Sequence, residues 1–419
     1  MPTDLDRTLE VGHRPPMLGQ RAACFDGAFD RAHTRATVAL RAATVTRRSN
    51  SIGSADIVIA VPVQNEIDRI DACMLALSNQ CGHSLNIEAL FLVNNSVDGT
   101  AERLCRQLDA LPIAATVIDV DLPAAERSAG RARWLANHAA LDLMHVDCGV
   151  LFMTDADSRV PPEWVARYTH LLKNGWDAVA GSVNISPDDC DQIVPSLDQR
   201  NNLEGQYTVL IDELESLIDP VPHDPWPRHF NASGANLAVN VRAIRRLPDF
   251  PSMTCGEDRA LVRAMEALDM KVRHDTLTAA HTSGRLFGRA AGGMADTLRH
   301  RTHVPDSLCD ERLECADRAY LRAWLRATWR RLRGKPNPAP MESLAVELGI
   351  PFAVVAAAAD VDTFGASWHM LEDASPRLTR RPIAPAHLPL EIQRATELLQ
   401  MVRRGVRPAW HDPQAEMSA

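Results

Sequence analysis

The chain has 419 residues, 46% of them hydrophobic, enough for a sizeable core in one extended α/β domain or two to three units. A formal net charge of −9 and a pI near 5.9 argue against a general nucleic-acid binder. Nine cysteines stand singly with no C-x-x-C pair, which suits a reducing cytosol better than a disulfide scaffold, so the expected localisation is cytoplasmic. Both ends of the sequence are polar, and no signal peptide is visible. The longest apolar run, Ile350 to Ala359, has about half of the roughly 20 residues that span a bilayer and reads as a core or amphipathic helix.

Residues 1–54 form a first segment, an N-terminal extension whose Ala/Arg-rich stretch "AFDRAHTRATVALRAATVTRR" reads as a helix, followed by the linker "SNSIGS". Strands and helices then alternate. "IVIAVPV", "IEALFLVNN", "ATVIDVDL" and "GVLFMTDAD" are apolar runs of strand length, separated by the helical stretches "ACMLALSNQ", "GTAERLCRQLDAL" and "RARWLANHAALDLMHV". Strands without polar alternation argue for a parallel sheet covered on both faces. Ligands bind such sheets outside the carboxyl ends of the strands. Three polar clusters fall there: Pro62 to Glu66, Asn94 to Asp98, and Asp155 to Asp157.

The last of these is the most informative. Side chains two apart in extended chain point the same way, so Asp155 and Asp157 can converge. Two carboxylates held together need a cation, a shared proton or full solvation. Mg²⁺ or Mn²⁺ suits them, because Mg²⁺ is commonly held by one or two carboxylates plus substrate phosphates. The structural alternative is a turn in which Asp157 caps a helix beginning near Pro161 or Pro162. Further on, Glu257 and Asp258 open a helix whose inner face includes Leu261, Met265 and Leu268, where acids also offset the helix dipole.

Taken in order, "VIAVPVQNE", "LVNNSVDGT", "GRARWLANHAA", "FMTDADSRVPPEWV", "SGANLAVNVRAIRRL", "GEDRALVRAMEALDMKV" and "AAHTSGR" resemble family 2 glycosyltransferases of the GT-A fold with its DxD motif. The resemblance covers about residues 55 to 290. It implies an α/β, Rossmann-like mixed sheet flanked by helices, a nucleotide-diphosphate sugar as donor, and a divalent metal, Mn²⁺ or Mg²⁺. It places Pro62, Asn65 and Glu66 in the base and ribose pocket, with Asn94 and Asn95 where an acidic pair is usual. Arg131 and Arg133 fall near the nucleotide phosphates. Asp155, Ala156 and Asp157 form the metal–diphosphate clamp, with His281 as a further metal ligand. Gly234 and Asn236 lie at the acceptor, and Arg285 and Arg289 on a loop closing over the diphosphate. Asp258 is the expected general base, supported by Glu257, with inversion at the anomeric carbon.

The acceptor is left open: a small molecule, a saccharide or a lipid-linked group. Two alternatives stand beside the enzyme, a non-catalytic nucleotide-sugar-binding scaffold and a nucleotidyltransferase. "VPVQNEIDR" lacks the glycine-rich loop of the latter. A haloacid-dehalogenase phosphatase carries D-x-D on its first strand, not on a fourth. The expected division is an extension over 1–54, a catalytic domain over 55–300 and a helical region over 301–419. In that last region Leu321, Trp324, Leu325, Trp329 and Leu332 share one helix face, flanked by Arg318, Arg322, Arg326 and Arg330. A basic amphipathic helix of this kind can make weak membrane-surface contact, through 318–335. The preferred expectation is a helix packed on the catalytic domain with its arginines in water. His300 and His303 read as surface residues.

Overall fold

The computed structural model describes residues 42–47, 55–80, 85–144, 148–192, 194–289, 292–334 and 337–408. Its centre is an eight-stranded mixed sheet. The strands are β1 (Ala42–Arg47), β2 (Ile57–Val63), β3 (Ile87–Asn94), β4 (Ala114–Asp121), β5 (Val150–Met153), β6 (Ala178–Ile185), β7 (Leu237–Asn240) and β8 (Val272–Thr282). Their spatial order is β1-β4-β3-β2-β5-β7-β6-β8. The four apolar runs read from the sequence are β2 to β5, and they pair in parallel. β7 runs antiparallel to both β5 and β6, and β8 is parallel to β6. β6 and β8 therefore point the same way as β2 to β5, and six strands deliver their carboxyl ends to one edge of the sheet.

At the other side of the sheet, β1 pairs antiparallel with β4. This corrects the helix expected from the Ala/Arg-rich stretch over Ala42–Arg47. The alanines there favour a helix locally, but β4 is an edge with unpaired backbone groups, and a paired ladder satisfies them. The remainder of that stretch and the linker over 49–54 lie outside the described residues.

Strand alternation sends side chains to two cores. Leu90, Leu92, Leu151 and Leu237 pack with Leu135 of the helix Ala129–Leu143 and with Leu261 and Met265 of the helix Glu257–Ala267. On the opposite face Ile59, Phe91, Phe152 and Val179 meet the helices Ile70–Ser78, Thr100–Gln107 and Trp164–Lys173. Phe152 packs edge-on against Trp164, with ring centroids 4.8 Å apart.

The helix Ala316–Arg333 organises the C-terminal region. Leu325 and Trp329 pack against the helices Pro338–Leu348, Phe352–Ala359 and Phe364–Ala374, with Leu321, Trp324 and Leu332 alongside. Ala319 and Tyr320 turn to the helices Pro195–Ile218 and Leu388–Arg403. The helix is packed, as expected, but its arginines are not left to water. Arg322 bonds the fully buried Glu314 and also Glu372, Arg318 bonds Glu314, and Arg326 and Arg330 pair with the buried Asp219. Among the described residues no single helix is long and apolar enough to cross a membrane. Pro338–Leu348 and Phe352–Ala359 together reach that length and composition, but they are bent by 119°. The boundary expected at residue 300 falls inside the helix Met294–His303.

Candidate active site

The loops at the common strand edge bring most of the expected residues together. After β2, where Pro62 pairs with Leu92 of β3, Asn65 takes a left-handed backbone (φ 53°). Its amide N–H donates to Ser96 Oγ at 2.9 Å, and its Oδ1 accepts from the Val97 N–H at 2.9 Å. Glu66, nearly buried, donates its N–H to Thr100 Oγ1 and accepts two bonds from Arg285, at 2.6 and 2.7 Å. Arg289 donates twice to the Asn65 carbonyl, at 2.8 and 3.1 Å. Asp189 completes this strap, accepting two bonds from Arg69 and one from the Gly284 N–H at 3.0 Å. The post-β8 segment is thus tied across the post-β2 loop.

Asp155 and Asp157 stand at the end of β5 as expected, with Ala156 buried between them. Each faces a different guanidinium. Asp155 pairs with Arg133, and Asp157 pairs with Arg285 at 2.9 Å while accepting from Thr282 Oγ1 at 3.2 Å. Burial, then repulsion from Asp155, pushes the Asp157 carboxyl up to about 6 despite Arg285. Behind the pair, burial and the same carboxylates hold the Cys73 thiol well above its usual range.

The other side of this edge is built by the loop before β7 and the start of the helix Glu257–Ala267. Gly256 precedes that helix in a left-handed conformation (φ 80°), a turn glycine makes without strain. Asp258 Oδ2 accepts the Gly234 N–H at 2.8 Å, and Oδ1 accepts the Arg259 N–H at 2.7 Å. Glu257 accepts from Arg133 Nε at 2.9 Å, and the Gly234 carbonyl accepts from Arg133 Nη1 at 3.0 Å.

Five expected residues are placed elsewhere. Asn236 is fully buried, and its amide is spent inside the fold. It accepts from Trp164 Nε1 and Tyr168 OH and donates to the Ser182 and Thr278 carbonyls, which leaves nothing for an acceptor. Asn95 is likewise used: it bonds Asp121, accepts from the Leu122 N–H and donates to the Leu122 carbonyl. Asn94 beside it is buried at the end of β3. Arg131 is mostly covered, 3.0 Å from Glu126 and stacked on the buried Trp134. His281 is not beside Asp157. Along β8 the side chains of Thr278, Ala280 and Thr282 are buried on one face, so alternation turns His281 to the other, and Thr282 takes the place beside the carboxylate. Among the described residues no three His, Cys, Asp or Glu side chains are gathered as a metal-ligand set. Thr282 and Asp189 were missed from the sequence. Thr282 adjoins His281 in the "AAHTSGR" stretch and could have been found by strand alternation, whereas Asp189 carries no local signal.

Residues 58–223 match the family model described as glycosyl transferase family 2. This segment belongs to that family. It carries the post-β2 loop, Asp155 and Asp157, set at the strand ends of a mixed α/β sheet. No curated protein matches the sequence. Among solved structures, the chain is similar to TarS of S. aureus in complex with UDP-GlcNAc, at 12% identity and a TM-score of 0.42, covering 84% of this chain and 92% of that one. It is also similar to the mannosyltransferase PcManGT from Pyrobaculum calidifontis in complex with GDP-Man and Mn²⁺, at 15% identity and a TM-score of 0.40, covering 84% and 83%. These likenesses are distant. The part of the chain that holds Gly234, Glu257, Asp258 and Arg285 lies beyond the matched segment, joined to it by the hydrogen bonds described above.

Proposed function

We propose that this chain is a glycosyltransferase that moves a sugar from a nucleotide-diphosphate donor to an acceptor hydroxyl, with Asp258 as general base. The observation that carries this reading is the unbroken chain Asp155–Arg133–Glu257, with Gly234 bridging Arg133 and Asp258. It sets an acid aimed at the donor and an acid aimed at the acceptor in one rigid unit across the strand ends.

The Gly234 N–H holds Asp258 Oδ2 and so orients the carboxylate. A lone pair that this bond leaves free is available for the acceptor proton as the acceptor oxygen attacks the anomeric carbon. Arg285 and Arg289 are cations within the same loops, suited to the charge that builds on the departing diphosphate. The residues also fit a divalent cation: Asp157 is a partly buried carboxylate whose charge Arg285 only partly offsets, and hard oxygen ligands suit Mg²⁺ or Mn²⁺. Asp157, with Asp155 or the donor's own oxygens, would hold it. When bound, such an ion supplies charge neutralisation at the diphosphate. The family resemblance favours inversion at the anomeric carbon.

Asp258→Asn tests the assignment. It keeps the hydrogen bond from Gly234 but removes the base. Donor affinity in the presence of Mn²⁺ is expected to stay within about threefold, while turnover drops by roughly 10²–10⁴-fold. Equal loss of both would make Asp258 a donor-site or structural residue. Product anomeric configuration, read by NMR, tests inversion.

A further inference from the structure

Arg133 has a placement that its expected role as a phosphate ligand does not explain. It lies on the second turn of the helix Ala129–Leu143 and is almost wholly buried. Each of its three nitrogens is already bonded to the protein: Nε to Glu257, Nη1 to the Gly234 carbonyl, and Nη2 to Asp155. The guanidinium is planar and its donors leave in fixed directions, so three acceptors around it are held in one relative geometry. Those acceptors come from three separate pieces of chain: the end of β5, the loop before β7, and the helix that begins at Glu257.

The surroundings are fitted to this arrangement. A Cβ at Gly234 would lie 2.3 Å from Arg133 Cζ, and one at Gly130 would lie 1.9 Å from the Met253 carbonyl oxygen and 3.2 Å from Glu257 Oε2. Both glycines admit a close approach that any side chain would block. Three of its five N–H donors are engaged and the side chain is almost wholly buried, so a donor phosphate has little access to the two that remain.

We infer that Arg133 is a positioning residue of the transfer reaction: through Glu257 and Gly234 it fixes Asp258 relative to Asp155, and it does not bind the donor phosphates. Asp258 is bonded to the N–H of the same glycine whose carbonyl Arg133 holds, so a shift of the guanidinium moves the loop and the base together. The inference rests on the glycosyltransferase reading, because the base matters only if a proton is to be removed.

The test uses the full chain with Mn²⁺ and a panel of UDP- and GDP-sugars, comparing Arg133→Lys, Arg133→Met and Glu257→Gln with wild type. Calorimetry gives UDP and GDP affinity; sugar release from the best donor gives turnover. In Arg133→Met, turnover is expected to fall about a hundredfold or more while nucleotide affinity stays within about threefold, because a misplaced reacting group costs rate rather than binding. Arg133→Lys, which keeps the charge and some donors, is expected to recover about tenfold of that loss. Glu257→Gln keeps Arg133 on Asp155 and carries the test should the arginine variants fail to fold; it is expected to lose roughly tenfold in turnover with affinity unchanged. Nucleotide affinity that drops about tenfold or more in Arg133→Met would identify a phosphate ligand and overturn the proposal. Wild-type turnover in Glu257→Gln would overturn it too. A wild-type protein that neither binds nor cleaves any donor would overturn the glycosyltransferase reading, and this inference with it.

Discussion

The side-chain amide of Asn236 makes four hydrogen bonds to groups on three other elements: Trp164 and Tyr168 on one helix, the Ser182 carbonyl on β6 and the Thr278 carbonyl on β8. At this scale the difference between a ligand contact and a scaffold bracket is a matter of remaining capacity. An asparagine amide has two donors and two acceptor lone pairs, and here all four are taken. Asn236→Ala is therefore expected to lower stability by about 3 kcal/mol or more, since it strands several buried partners. The check is a denaturant melt. A variant that unfolds at the wild-type midpoint while losing acceptor binding would return Asn236 to the acceptor site. Asp155 and Asp157 show the opposite case. They are adjacent in sequence spacing and close in space, yet each answers to a different arginine. The spacing alone could not show that division, because Arg133 precedes the pair by 22 residues and Arg285 comes from a distant segment after it.

The helix Glu257–Ala267 is held at both ends. Its first turn is gripped by Arg133 through Glu257. Beyond its last turn, Asp269 accepts the backbone N–H groups of Phe364 and Gly365, at 2.7 and 2.8 Å, and Thr363 Oγ1 donates to the Ala267 carbonyl at 2.6 Å. The C-terminal helix Phe364–Ala374 thus seats directly on the end of the helix that carries the proposed base. Gly365 makes the contact feasible, since a Cβ there would lie 1.8 Å from the Glu266 carbonyl oxygen. Gly365→Ala is expected to cost about 1–3 kcal/mol through forced displacement of backbone. Because the displaced element is the helix that carries the proposed base, turnover should fall with it. Thermal melts and sugar-release assays on the same preparation check both halves, and a Gly365→Ala protein with wild-type melting would sink this account of the docking.

Across the whole molecule, the C-terminal region is joined to the helix Pro195–Ile218 by buried charges as much as by oily faces. Asp212 and Glu215, on the helix Pro195–Ile218, face Arg312 at 3.6 and 3.7 Å, and Asp219 on the loop after it faces Arg326 and Arg330. Not all of these acids are fully compensated. Burial, with added repulsion from Glu215 and Asp224, pushes the Asp212 carboxyl up to about 7 although Arg312 and Arg228 pull it down. The folded state therefore holds a proton that the unfolded chain releases near pH 4, and stability falls as pH rises from about 4 to 7. Asp212→Asn is expected to be more stable than wild type at pH 8, by on the order of 2 kcal/mol, with the gap closing as the pH is brought down to about 4. Melting temperatures of the two proteins across that range decide it. An Asn variant less stable than wild type at pH 8 would mean that Arg312 holds Asp212 ionised as a paired charge.

Several features were legible in the amino-acid sequence because their causes are local. The runs that became β2 to β5 are apolar on both faces, so only a sheet covered on both sides could take them, and the polar clusters that follow them had to emerge at one edge. The apolar stripe of the helix Ala316–Arg333 was fixed by its period alone. The antiparallel insertion of β7, the edge strand β1 and the partners of each site residue could not be read there. A four-residue strand such as Leu237–Asn240 has too short a pattern to declare its direction, and the strand Ala42–Arg47 exists only because β4 offers it an open edge. The sequence by itself determined an α/β chain with acids at its strand ends and a segment, 58–223, that matches the family 2 glycosyltransferase model. Tertiary structure alone decided that Thr282 rather than His281 meets Asp157, that Asn236 is a bracket, and that Arg133 joins Asp155 to Glu257. The physical reason is the same in each instance: a side chain's role is set by which groups have already claimed its hydrogen bonds, and those groups lie tens to hundreds of residues away.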